Sequence, residues 1–123
     1  LAGAQSEFRL TPALLLNAVV LGLGVGFAEE LLFRGLLFKF VTNKLPAKLS
    51  STARTLLILT ITSAGFGLAH FAGGTSYMIV ATVAGLLYGA VYMLTGRIVF
   101  AVLTHWLLNI THMLVLTYPM TDV

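Results

Sequence analysis

Six polar side chains stand out in a chain that is otherwise apolar. Glu29 and Glu30 are adjacent, with Arg34 one helical turn further on, in the run G-L-G-V-G-F-A-E-E-L-L-F-R-G from Gly22 to Gly35. His70 closes the run F-G-L-A-H, and His105 and Asn109 open and close H-W-L-L-N. Carboxylates and imidazoles together can take a proton from a water molecule, while further donors hold a developing oxyanion. No serine sits in a G-x-S-x-G turn, so the residues point away from a serine nucleophile.

The setting makes these charges expensive. Leu10 to Ala28 contains no Asp, Glu, Lys or Arg, and a charged group at the centre of a bilayer costs roughly 2.5–3.5 kcal/mol on insertion scales. Three such groups within six residues need compensation. Adjacent helical residues differ by about 100° around the axis, so Glu30 and Arg34, at i and i+4, can pair. Glu29 lies three residues after Gly26 and seven after Gly22. That spacing predicts that Glu29 shares the glycine face, where another backbone comes close. Glu30–Arg34 is then the supporting pair, and Glu29 is presented to neighbouring helices. The competing reading is a purely structural ion network.

Composition sets the environment. The 123 residues are 59% hydrophobic and 9% charged, with mean hydropathy +1.00, against about 25% charged in soluble domains. The fold expected is an all-α, polytopic transmembrane helical bundle of about four spans, forming one membrane domain over 1–123. The absence of cysteine excludes a thiol nucleophile, a disulfide framework and a Cys–metal site. The net charge of +3 comes from few groups, with no basic cluster interleaved with aromatics, so nucleic acid is not an expected partner. The chain opens on Leu1 rather than Met and is read as a fragment or processed product. Its first hydrophobic run is too long for a signal-peptide core.

Four helices follow from the pattern. Residues 1–9 are short and polar, and Thr11-Pro12 predicts a helix start. The first helix is expected over about 12–42, longer than the ~20 residues a span needs, with a bend near the glycines as one way to fit. Ser50-Ser51-Thr52 offers N-caps, and Ala72-Gly73-Gly74-Thr75-Ser76 a turn. Helices are therefore expected over 53–71, 77–94 and 98–117, the last ending before Pro119. The pairs Gly22/Gly26 and Gly85/Gly89 mark close helix contacts. Lys39, Lys44, Lys48, Arg54 and Arg97 share one end and only Arg9 the other, so the positive-inside rule places the 39–54 connection in the cytoplasm. At 1.5 Å per residue, Glu29 lies about 15 Å beyond Lys39, His105 about 12 Å beyond Arg97 and Asn109 about 18 Å. His70 comes out about 24 Å beyond Arg54, too deep unless helix two begins well outside the bilayer or tilts where the others do not.

Taken in order, E-E-x-x-x-R at Glu29, Glu30 and Arg34, F-x-x-x-H at Phe66 and His70, and H-x-x-x-N at His105 and Asn109 resemble the CPBP family of CAAX prenyl endopeptidases and bacteriocin-processing proteins, also called the Abi family. G-L-L-Y-G and T-G-R-I are similar to its third-helix and turn sequences. The resemblance covers about residues 12–118. It implies an intramembrane endopeptidase acting on a membrane-associated peptide or lipidated protein. In it, Glu29 and His70 would activate water, His105 and Asn109 would stabilise the oxyanion, Glu30 and Arg34 would support them, and Phe66 would shape the site. His112 has no counterpart in the motifs. The family has been described as metalloproteases: Glu29, His70 and His105 could hold zinc in an open three-ligand site. They lack H-E-x-x-H spacing and Asn109 is a poor zinc ligand, so the favoured reading has no obligatory metal. Full-length members carry additional N-terminal spans, so the resemblance is to the core domain of the family. Two alternatives use the same residues: a non-catalytic binding or bacteriocin-immunity protein, and a proton- or ion-conducting bundle.

Overall fold

The structure is a computed structural model that describes residues 11–112. The described residues form four helices and no strand. Helix α1 is continuous over Pro12–Lys44, α2 spans Ser51–Ala69, α3 Thr75–Thr95 and α4 Ile98–Thr111. The caps read from sequence are made: the Thr11 and Ser50 hydroxyls accept from the Leu14 and Ala53 amides, each at 3.1 Å, and Pro12 occupies the first turn, where it has no amide to leave unbonded. The chain leaves α2 at His70, makes a short 3-10 turn over Phe71–Gly73, and passes Gly74 at φ +91°. That conformation suits glycine alone, which is why the break centres on the glycine pair and α3 starts at Thr75 rather than 77. Gly96, at φ +68°, ends α3 in the same way. The expected tail of the last helix, to 117, and Arg9 at the start both lie outside the described residues.

The helices run alternately up and down. α1 packs on α4, α4 on α3 and α3 on α2, and the last turns of α1 close onto α2. α1, α2 and α3 are each long and apolar enough to cross a bilayer. Leu16, Val20, Val83 and Leu94 are among many large apolar side chains exposed on the outer surface. That pattern places hydrocarbon, not water, around the bundle.

α1 is irregular at a place the glycines do not predict. It is α-helical over Pro12–Glu30, π-helical over Leu31–Leu37 and α-helical again over Phe38–Lys44. In the wider turn the Phe38 amide bonds the Phe33 carbonyl, five residues back. Single-turn π segments mark functional positions in helices, and this one begins at the residue after the glutamate pair. The bend expected at Gly22–Gly26 is not needed, because those glycines serve packing.

The depth conflict at His70 also resolves. Arg54 donates to the carbonyls of Thr42 and Pro46. The base of α2 is therefore level with Thr42, which is about 20 Å along α1 from Glu29. Lys39 was the wrong reference. The mismatch falls to about 4 Å, within what a modest tilt absorbs.

Small residues set how close α2 and α3 come. A Cβ on Gly67 would strike the Thr82 side chain and lie 2.9 Å from the Met78 carbonyl oxygen, whereas one on Gly22 would rest at 3.6 Å from Asn109 Cβ. Gly67→Ala is expected to destabilise by about 1–3 kcal/mol through overpacking. Gly22→Ala is expected to be neutral or stabilising, since alanine favours helix by about 1 kcal/mol. Unfolding of both variants in detergent micelles checks the contrast.

Candidate active site

The polar residues meet where α1, α2 and α4 converge. The buried stripe of α1 steps by four: Leu14, Ala18, Gly22, Gly26, Glu30. Glu30, not Glu29, therefore continues the glycine row, and both Glu30 and Arg34 are fully buried. Glu29 sits beside that row with its side chain 27% exposed and faces two imidazoles. Glu29 faces the neighbouring helices, as its spacing predicts, but it is Glu30 that lies on the glycine stripe. Gly26 faces α4 at this point: a Cβ on it would rest in ordinary contact, 3.6 Å from His105 Cγ.

Glu30 is a shared acceptor. Its Oε1 takes a hydrogen bond from Arg34 Nη1 at 3.1 Å and faces His105 Nδ1 at 2.8 Å. A carboxylate paired with Arg34 can only accept, so His105 carries a proton on Nδ1. His105 Nε2 then faces Glu29 Oε2 at 3.4 Å. Arg34 also donates through Nη2 to the Gly85 carbonyl on α3, which ties the network to a third helix.

His70 is oriented from behind in a similar way. Its Nδ1 lies 2.6 Å from the Phe66 carbonyl, one turn earlier. A carbonyl only accepts, so Nδ1 carries a proton, and Nε2 points towards Glu29 Oε1, 3.7 Å away. That distance is too long for a direct hydrogen bond and suits a bridging water. Glu29 Oε2 is buried without a hydrogen-bond partner, as are Glu30 Oε2 and Arg34 Nε.

Phe66 is the hub. Its ring lies 5.0 Å from Phe33, 4.6 Å from His70 and 5.6 Å from His105, centroid to centroid, and the Arg34 guanidinium carbon sits 5.1 Å from its centre. Asn109 stands one turn beyond His105, with Nδ2 3.4 Å from the Gly22 carbonyl. It lines a cavity of about 360 Å³ between α3 and α4, together with His70, Tyr88 and His112. The rest of that wall is mainly apolar, with Val83, Leu87 and Leu108. His112 has a place here after all, its ring 6.2 Å from Tyr77.

Tyr88 was missed. It is buried, stacks on His105 with centroids 4.3 Å apart and planes 13° apart, and meets Phe66 edge-on at 5.9 Å. The available signal was its place between Gly85 and Gly89, on the packing face of α3.

Among the described residues, no group of three His, Cys, Asp or Glu side chains is arranged to hold a metal ion. Zinc needs its donors to converge on one point about 2.0–2.2 Å from each. Here the two Nε2 atoms face different oxygens of Glu29.

The sequence model of the family described as type II CAAX prenyl endopeptidase Rce1-like matches residues 11–111. The chain belongs to this family. The Rce1-like match spans all four helices and all three motifs, and the family is one of membrane-integral proteases. No curated protein and no solved structure matches the chain significantly.

The Arg34–Glu30 pair carries a stability consequence for this Rce1-like bundle. Breaking a fully buried pair by removing one partner costs about 3–5 kcal/mol. Arg34→Met is expected to lose that much in an SDS-titration unfolding experiment. Joint replacement of Glu30 by Leu and Arg34 by Met is expected to cost less, because no uncompensated charge is left behind.

Proposed function

We propose that this Rce1-like protein is an intramembrane endopeptidase that hydrolyses a peptide bond of a membrane-associated or lipidated substrate through a water activated by Glu29 and His70. The observation that carries this reading is the pair of imidazole Nε2 atoms facing the two oxygens of Glu29, at 3.7 and 3.4 Å. A water held between Glu29 Oε1 and His70 Nε2 has a base on either side. Its oxygen adds to the scissile carbonyl as its proton passes to the Glu29–His70 pair, and the same proton leaves with the amine when the C–N bond breaks. His105 and Asn109 are the proposed oxyanion donors. For His105 this needs the doubly protonated ring, whose charge Glu29 and Glu30 balance from either side. Asn109 would exchange its long contact with the Gly22 carbonyl for the substrate oxygen. Glu30, Arg34 and Phe66 support. No obligatory metal is part of the proposal.

The cavity between α3 and α4 supports an apolar substrate segment, since hydrocarbon side chains form most of its wall beside His70 and Asn109. Lys39, Lys44, Lys48 and Arg97 project at the opposite end of the bundle, and we place that end in the cytoplasm by the positive-inside rule.

The test is cleavage of membrane-tethered peptide reporters, including a prenylated C-terminal motif, with wild type beside Glu29→Gln. Wild type is expected to cut, and the folded variant to lose roughly 10²–10⁴-fold in rate, the usual worth of a general base. Prior treatment with a strong chelator is expected to leave wild-type cleavage unchanged. Equal cutting by the two proteins would remove Glu29 from its role.

A further inference from the structure

We propose that Tyr88 is a positioning residue for His105: its ring lies flat on the imidazole and holds it in the plane in which Nδ1 meets Glu30 and Nε2 meets Glu29. Nδ1 is held by Glu30 at 2.8 Å, while the contact of Nε2 with Glu29, at 3.4 Å, is a loose one. Rotation about Cβ–Cγ would swing both nitrogens out of line with the carboxylates; the Nδ1 bond resists that, and a ring pressed on the imidazole face resists it further. Tyr88 is stacked on the ring at 4.3 Å and 13°. The Gly26 backbone and the edge of Phe66, 5.6 Å from the imidazole, complete the enclosure.

Tyr88 is itself held firmly. It is 3% exposed, and the Arg34 guanidinium carbon lies 5.5 Å from its ring centre. One turn earlier on α3, the Gly85 carbonyl accepts from Arg34. One residue later, Gly89 is pressed against α2, where a Cβ would lie 2.9 Å from a Leu59 methyl. Arg34 thus reaches His105 by two routes, through Glu30 to the ring edge and through α3 and Tyr88 to the ring face. In this arrangement the flat aromatic face is the working part and the hydroxyl is not. The residue acts through His105 whatever the substrate, although its effect on turnover rests on the endopeptidase reading above.

The experiment compares Tyr88→Phe, which keeps the flat ring, with Tyr88→Leu, which fills the space without one. The first readout is independent of activity: the His105 Nδ1 proton in the intact, 15N-histidine-labelled protein in micelles, assigned by its loss in His105→Asn. That proton is expected to be hydrogen-bonded and slow to exchange in wild type and Tyr88→Phe, and to be lost to exchange in Tyr88→Leu. The second readout is reporter cleavage. Tyr88→Leu is expected to lose roughly 10- to 100-fold more in kcat than Tyr88→Phe, the scale of a misplaced catalytic group. Loss in Tyr88→Phe equal to that in Tyr88→Leu would assign the effect to the hydroxyl and overturn the proposal. A retained Nδ1 proton in Tyr88→Leu would overturn it as well. A wild type that shows the protected proton but cuts no reporter would count against the endopeptidase reading and leave the stacking judged by the spectra alone.

Discussion

Glu30 is a carboxylate with no exposed surface, in a bundle whose outer surface is hydrocarbon. Its burial is tolerable only because Arg34 and His105 converge on the same oxygen, at 3.1 and 2.8 Å. That demand reaches through the molecule. Arg34 must enter the core from one turn along α1, and it finds a further acceptor in the Gly85 carbonyl of α3. His105 must come from α4, which has to lie close enough to α1 for a side chain to bridge them. Once His105 is held from Nδ1, its other nitrogen points at Glu29, and the more exposed glutamate acquires a fixed imidazole neighbour. The pair that resembles a structural ion bridge thereby sets the geometry of the group proposed to do the chemistry.

Much of the remaining architecture serves that convergence. α4 settles on the Gly22–Gly26 face of α1, with Trp106 Nε1 donating to the Val19 carbonyl at 3.0 Å and Asn109 reaching Gly22. The π-helical stretch that starts at Leu31 changes the stagger of α1 just beyond the glutamates. Phe33 and Arg34 are buried within it and Phe38 directly after it. Gly67, Gly85 and Gly89 draw α2 and α3 together, so that Phe66, Tyr88 and His70 reach one another and the buried charges. Packing of small residues is the natural device here, since lipid removes the hydrophobic drive for helices to associate.

The outline of this arrangement was legible in the sequence because intramembrane charge is rare and expensive. Glu29, Glu30, Arg34, His70 and His105 could be selected on those grounds, and four helices followed from apolar runs broken at Gly73-Gly74 and Gly96. The division of labour between the glutamates was legible only in part. A single-helix projection gives Glu29 and Glu30 nearly equal claims to the glycine face, because the face a helix buries is decided by where its partner crosses. Here α4 follows the row of every fourth residue, and Glu30 lies on it. The π-helical segment had no sequence signal, since Leu31 to Leu37 suits an α-helix equally well. Tyr88 was hidden for a different reason. An aromatic residue on a membrane helix is usually packing, and only the stack on His105 sets it apart. The level of His70 could not be read from the basic residues because Arg54 anchors to Thr42 and Pro46, a contact across a loop that residue counting does not see.

The site depends on the register of α4 against α1, since one turn of slippage would carry His105 away from both glutamates. The chain contains no cysteine, so introduced pairs report proximity without background. A Cβ on Gly22 would lie 3.6 Å from Asn109 Cβ, while Gly24 has nothing within 4 Å. Disulfides need Cβ atoms about 3.5–4.5 Å apart. The direct measurement is oxidative cross-linking in native membranes of Gly22→Cys paired with Asn109→Cys, beside Gly24→Cys paired with Asn109→Cys. The first pair is expected to close nearly completely under mild oxidation and the second to stay open. Closure of the second pair in preference to the first would place a different face of α1 against α4, and would contradict the shared Glu30 acceptor on which the site depends.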